Sequence, residues 1–232
     1  MKILISPSKQ KQKIPYNFEP TIPIYQAKAD YLANKIKKLS IKKIITAFKC
    51  NENIAKQVFE DYKKFNLESY PALFFYSGLQ YKNIGVDTLE DNQVKFLLDN
   101  LYIIDALYGI LKPTDLISNY RLDYHTKLSF FNYNYYKQDL DTQINERVIN
   151  LCSKEYSKNL NQENLLTISF LQNVKGQIKS YSTHTKIARG QFVRYLAIEE
   201  SSSIDVLKKF SWNNYYLKDS FPNELIFQKD FL

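Results

Sequence analysis

Short, mainly apolar runs set between longer segments of helical period constrain this chain more than any other feature. Lys2–Ile5, ended by Ser6-Pro7, is too brief for a helix and reads as a buried strand; Ala72–Tyr76 reads the same way. Leu101–Ile104 reads as a third buried strand or a helix end, since length alone does not arbitrate, and Arg147–Cys152 as a strand running into a short helix over 153–160. Between these runs, 25–39 places Ala29, Leu32, Ala33 and Ile36 on one helical face. Ser40 caps a helix through Phe48, Asn51 caps the next, and Thr88-Leu89-Glu90-Asp91 opens another with a capping pattern. Further on, 165–171 and 177–182 resemble a hairpin, 185–198 and 204–210 read as helices, and 212–217 and 224–228 as two edge strands. No Ser/Gly/Pro-rich linker and no internal repeat divides the chain. The economical solution is one domain over 1–232, of α+β or mixed α/β class.

Composition narrows the class. With 232 residues, 44% hydrophobic and 24% charged, the chain buries a sizeable core as an ordinary globular protein. A formal charge of +8 favours polyanionic partners through counterion release, although pairs such as Lys37-Lys38 and Lys63-Lys64 read equally as solvated helix faces. Two cysteines, Cys50 and Cys152, and two histidines, His125 and His184, have no ligand spacing, so neither a stable metal nor a disulfide is expected. Walker, GxGxxG and GxSxG patterns are all missing, and no cofactor is expected. The start is too poor in apolar residues for a signal peptide and no stretch reaches membrane-spanning length, so the expected location is cytoplasmic.

Against 28 lysines the chain has four arginines, and two of these, Arg189 and Arg194, fall in one short stretch, Thr183–Tyr195. Lysine, asparagine, isoleucine and tyrosine follow the bias of an A/T-rich coding sequence; arginine does not, so its placement carries more information. Guanidinium offers phosphate a planar fork of donors that lysine cannot imitate. Arg121, Lys186, Arg189 and Arg194 are therefore expected to form an anion site. Gly190 would leave a side-chain-free floor between Lys186 and Arg194, or else accommodate a crossing helix. Asp105–Asp115 is the second notable stretch, with a turn at Tyr108-Gly109 and a helix-start signal at Pro113-Thr114-Asp115. In Tyr120-Arg121-Leu122-Asp123 the two charged residues are spaced to pair with each other. For catalysis, His184, Asp105, Asp115, Asp123 and Glu155 are available but uncoupled, and Cys152 stands at a strand-to-helix junction, where it is either activated or, more ordinarily, buried and inert.

These segments, with Met1–Lys9, Tyr76–Tyr81, Asn150–Tyr156 and Lys186–Gly190, resemble the YaaA family of bacterial peroxide-stress proteins in one order from end to end. The resemblance implies a single α+β domain of unusual topology, a cytoplasmic location and a role in limiting oxidative DNA damage linked to intracellular iron. It also implies DNA binding through a helix-hairpin-helix element, placed here on Asp105–Asp115, and a basic cleft; the broad basic excess with no base-reading motif makes the expected partner double-stranded or locally melted DNA, held chiefly through phosphates. Ala106 stands where relatives tend to have glycine, and His184 also departs from pattern. The phosphate-binding candidates are thus Lys9, Gly109, Lys112, Arg121, Lys186, Arg189, Gly190 and Arg194. The alternative is an enzyme acting on a nucleotide or nucleobase in the same cleft.

Overall fold

The computed structural model describes residues 1–158 and 160–231; Asn159, within the short helix expected over 153–160, lies outside the described residues. In chain order the elements are β1 (Lys2–Ile5), α1 (Gln26–Ile36), α2 (Ile41–Phe48), α3 (Glu52–Lys63), β2 (Ser69–Pro71), α4 (Leu79–Ile84), α5 (Asp91–Asn100), β3 (Leu101–Asp105), β4 (Gly109–Leu111) and β5 (Leu116–Ser118). There follow α6 (Lys137–Gln143), β6 (Val148–Leu151), α7 (Lys154–Ser157), β7 (Leu165–Val174), β8 (Gln177–Lys179), α8 (Ser182–Ile198), α9 (Ile204–Lys209), β9 (Tyr216–Phe221) and β10 (Glu224–Phe231).

Eight strands form one mixed sheet in the order β4-β3-β1-β6-β7-β10-β9, with β8 paired to the far half of β7. Its middle, β3-β1-β6-β7-β10, is parallel, and antiparallel β4 and β9 close the two ends. Strands buried on both faces need continuous apolar sequence, and Ile3, Leu4, Ile5, Ile103, Ile104, Ile149 and Leu151 are all fully buried. The fold is a mixed α/β domain. Ser40 Oγ accepts from Lys43 N and Asn51 Oδ1 from Ile54 N, so both expected caps start their helices; α5 begins with a capping box of Glu90 and Gln93.

Three expectations are corrected. Ala72–Tyr76 is not a sheet strand: residues 72–74 form a 3-10 turn, and 74–77 instead pairs with the loop after β1 through Gln12 N to Phe75 O (2.7 Å), Ile14 N to Phe74 O (2.9 Å) and Ser77 N to Gln10 O (2.9 Å). Its apolar character reflects burial of the turn, which periodicity cannot distinguish from a strand. The segment 224–228 is not an edge: β10 is flanked by β7 and β9. Asp105–Asp115 contains no helix. It is the β3–β4 hairpin followed by a turn into β5, so the helix-hairpin-helix element is not found at that position. Asp115 explains the turn, accepting from Lys112 N (2.8 Å) and from Thr21 Oγ1 (2.6 Å) and thereby stopping the chain where a helix would begin.

Among the described residues, no helix is long and apolar enough to cross a membrane.

Candidate functional site

The chain runs from β1 to β3 on one side of the sheet and later returns to place β6 on the other side of β1. Strand order therefore reverses at β1, and the loops leaving the carboxyl ends of β1 and β6 diverge. In parallel α/β sheets this divergence opens the crevice where ligands bind. A cavity of about 440 Å³ lies there. Ser6–Lys11 after β1, Gly78–Tyr81 at the start of α4, Tyr120–Asp123 after β5, Ser153, Glu155 and Tyr156 after β6, and Lys186 and Arg189 of α8 line it.

Elements far apart in sequence are joined around this cavity by specific bonds. Ser6 Oγ accepts from Ser153 N (2.8 Å), tying the two strand ends together, and Tyr81 Oη donates to Ser6 O (2.9 Å), tying α4 to them. At the end of β3, Asp105 is fully buried. Its carboxylate accepts from Leu107 N (2.7 Å), Tyr108 N (2.9 Å), Tyr76 Oη (2.9 Å) and Tyr120 Oη. Burial raises its pKa, and these four donors oppose the rise by stabilising the charged form. Tyr62 Oη donates to Arg121 O (3.1 Å), so the Tyr120-Arg121 segment is held from both sides.

Of the expected anion-site residues, the structure brings Lys9, Arg121, Lys186 and Arg189 to this one cavity. Lys186 and Arg189 share a face because they are three residues apart on a helix. Neither Arg121 nor Arg189 makes an ion pair with a carboxylate among the described residues, and Arg189 Nε is buried without a hydrogen-bond partner. Burial also holds the Arg189 guanidinium below its usual pKa. Arg121 does not pair with Asp123, which is taken by Lys9 Nζ at 2.7 Å. Although burial disfavours the Asp123 carboxylate, the Lys9 ammonium keeps its pKa below the usual range. Glu155 is raised, first by burial and then by Asp123, while accepting from Tyr124 N (3.1 Å) and facing His125 (3.5 Å).

Four candidates fall elsewhere. Gly190 is buried where α8 crosses α4, and a Cβ there would sit 2.3 Å from the Gln80 carbonyl oxygen. Arg194, one turn on, donates to Ile84 O (3.0 Å), Gly85 O (3.1 Å) and Thr88 Oγ1 (2.8 Å), closing the end of α4. The expected Lys186-Gly190-Arg194 trough is therefore not formed: Gly190 and Arg194 share the face packed on α4. Gly109, at φ +76°, turns the β3–β4 hairpin against the Tyr136 ring, and Lys112 is exposed beyond it; neither lines the cavity. Cys152 is buried and its thiol is pushed up to about 12, first by burial, so the inert reading holds for it.

One cavity residue was invisible in the sequence. Lys11 sits in the lysine-rich run 9–13, where abundance hides it. Its backbone bridges to Tyr76, its Nζ donates to Tyr120 O (2.7 Å), and the ammonium position lies 4.3 Å from the Tyr120 ring centroid. Burial lowers it to about 8, with Arg121 adding to the fall and Asp105 and Asp61 opposing it. Ser6 and Ser8 belong to the Met1–Lys9 stretch but were not singled out as site residues. With five cationic side chains against Asp123 and Glu155, the cavity is suited to an anion with several oxygen acceptors.

A family model described as peroxide stress protein YaaA matches residues 1–221. Among similar curated proteins, an UPF0246 protein of Finegoldia magna is 34% identical over 241 residues, covering 99% of this chain and 98% of that one. Another, of Ligilactobacillus salivarius, is 34% identical over 249 residues (99% and 100%), and one of Francisella tularensis subsp. novicida is 31% identical over 252 residues (97% and 97%).

Proposed function

The chain belongs to the YaaA family of peroxide-stress proteins, and from that premise we propose that its cavity binds the phosphate backbone of locally melted DNA. The observation that carries the reading is the pair of arginines, Arg121 and Arg189, set in one cavity without a carboxylate partner among the described residues. Arg189 Nε is buried without a hydrogen-bond partner, and a guanidinium nitrogen left so is costly unless a ligand completes it. Phosphate does so bidentately.

Size supports one form of the DNA over the other. A cavity of about 440 Å³ falls in the range of small-molecule sites and takes a nucleotide; a duplex does not enter it. One nucleotide of an opened strand, with flanking phosphates on Lys9 and Lys186, fits both the volume and the charge. The peroxide-stress role is then exercised at DNA, limiting there the oxidative damage that intracellular iron promotes. The same dimensions favour a second reading, an enzyme acting on a free nucleotide, with Glu155, the cavity carboxyl whose pKa is raised by burial, as the acid or base.

Fluorescence anisotropy separates the two. A duplex carrying an unpaired bubble is expected to bind more tightly than the fully paired duplex and than a mononucleotide. Its affinity should fall by about 0.7–0.9 log units per log unit of salt for each phosphate held. Arg121→Ala and Arg189→Ala should each weaken bubble binding about tenfold, the loss of one charge-assisted contact. Binding flat in salt, or saturable by mononucleotide alone, would overturn the DNA reading.

A further inference from the structure

We propose that Lys11 forms a reversible imine with an open-chain, phosphorylated sugar aldehyde seated in this cavity. The phosphate half of the inference rests on the binding reading above; the covalent half rests on Lys11 itself.

A lysine that attacks a carbonyl needs a fixed position, an unprotonated nitrogen and a ligand delivered to it. Position comes from the backbone bridge to Tyr76 and from Tyr120 O, 2.7 Å from Nζ. Tyr120 and Tyr76 supply the surface beneath it, with ring centroids 4.3 and 5.6 Å away. No carboxylate forms an ion pair with Lys11 among the described residues, so the charged form is favoured only by the tyrosine rings, Tyr120 O and the more distant Asp105 and Asp61. Around it stand Arg121, Lys9, Lys186 and Arg189 as cations, Asp123 and Glu155 as cavity carboxylates, Asp105 beneath the tyrosines and Asp61 on α3. Burial with the Arg121 charge outweighs Asp105 and Asp61, giving about 8. Near pH 7.5 about a quarter of Lys11 is then neutral, against about one in a thousand for an ordinary lysine. Delivery comes from Arg121, Arg189 and Lys186, which hold a phosphate in the same cavity.

The step balances without redox chemistry. Nζ adds its electron pair to the aldehyde carbon, its two N–H protons pass in turn to the former carbonyl oxygen, and that oxygen leaves as water, so that a C=N bond replaces C=O. Hydrolysis reverses each step. The aldehyde can come from an abasic deoxyribose in a DNA strand or from a free sugar phosphate, which share this chemistry.

Borohydride, which reduces the imine to a stable amine, reads the adduct out. The full-length protein would be treated with borohydride and either a duplex holding one abasic site or deoxyribose 5-phosphate, followed by peptide mapping. The expected result is an adduct on Lys11 whose yield rises with pH through about 8 and exceeds that on any exposed lysine about tenfold. The ligand giving the higher yield identifies the source. Lys11→Arg, which keeps a cation but forms no stable imine, should abolish the mapped adduct. Mapping of the unmodified protein stands independently of how that variant folds. Bubble-DNA binding without an adduct on Lys11 overturns this inference alone, as does labelling spread evenly over surface lysines. Loss of salt-dependent binding with the Lys11 adduct retained on the free sugar phosphate overturns the DNA reading and leaves this one.

Discussion

Gly190→Ala sets two effects of opposite sign against each other. Alanine in place of glycine within a helix gains about 1 kcal/mol of propensity. The added methyl, however, would lie 2.3 Å from Gln80 O, 2.6 Å from Asn83 Cβ and 3.1 Å from Gln80 C. The nearest of these is backbone, so relief requires α4 and α8 to separate by about 1 Å, the gap between 2.3 Å and an ordinary C···O contact. That separation strains the bonds that anchor α4, Tyr81 Oη to Ser6 O and Arg194 to the Ile84 and Gly85 carbonyls. Overpacking against immobile backbone costs about 3 kcal/mol, at the upper end of the usual range. The net is about 2 kcal/mol of destabilisation, which for a domain of this size lowers the melting temperature by about 4–8 °C. Calorimetric or circular-dichroism melting of Gly190→Ala, beside Lys186→Ala on the exposed face of the same helix, checks this. A Gly190→Ala protein that melts at or above the parent would refute the close crossing.

Other outcomes follow from the same contacts. Arg194→Ala should lower stability by about 1–2 kcal/mol, because Ile84 O, Gly85 O and Thr88 Oγ1 lose their donor, while leaving bubble-DNA affinity unchanged; a fall in affinity per folded molecule would return Arg194 to the site. Gly109→Val should cost about 3 kcal/mol, combining positive φ with a Cβ 2.7 Å from the Tyr136 ring, and denaturant titration giving less than about 1 kcal/mol would contradict the turn geometry. Thiol labelling at pH 8 should modify half-exposed Cys50 quickly and buried Cys152 only on unfolding, since its thiol is held near 12; equal rates would show the β6 end to be open.

The sequence carried the elements whose cause is local. Ser40 and Asn51 cap helices through their own side chains, the short runs at 2–5 and 147–152 hold strands β1 and β6, and 101–104, open between strand and helix end, is resolved as β3. It carried less where an alternative contact wins. Ala72–Tyr76 satisfies its backbone with the loop after β1, a partnership between residues about 60 positions apart that no window of sequence contains. At the site, arginine scarcity singled out Arg121 and Arg189, yet gave Arg194 the same weight, because helical spacing alone does not say which face meets a neighbouring helix. Gly190 was open to two readings, and the helix crossing is the one its surroundings support. Lys11 had no signal at all: its distinction is burial over two tyrosine rings, a property of tertiary structure.

Asp105 fixes more than its own charge. Tyr76 leads directly into Gly78 and the start of α4, and Tyr120 into Arg121, so one carboxylate grips the roots of two opposite rims of the cavity. Because the same carboxylate is anchored to the amides of Leu107 and Tyr108 at the sheet edge, neither rim swings independently of the other. The opening therefore behaves as a gauge rather than a jaw: it admits what already matches its width and loses little conformational entropy in doing so. For the nucleotide proposed as its ligand, the width of the opening is thus set during folding, before a ligand arrives.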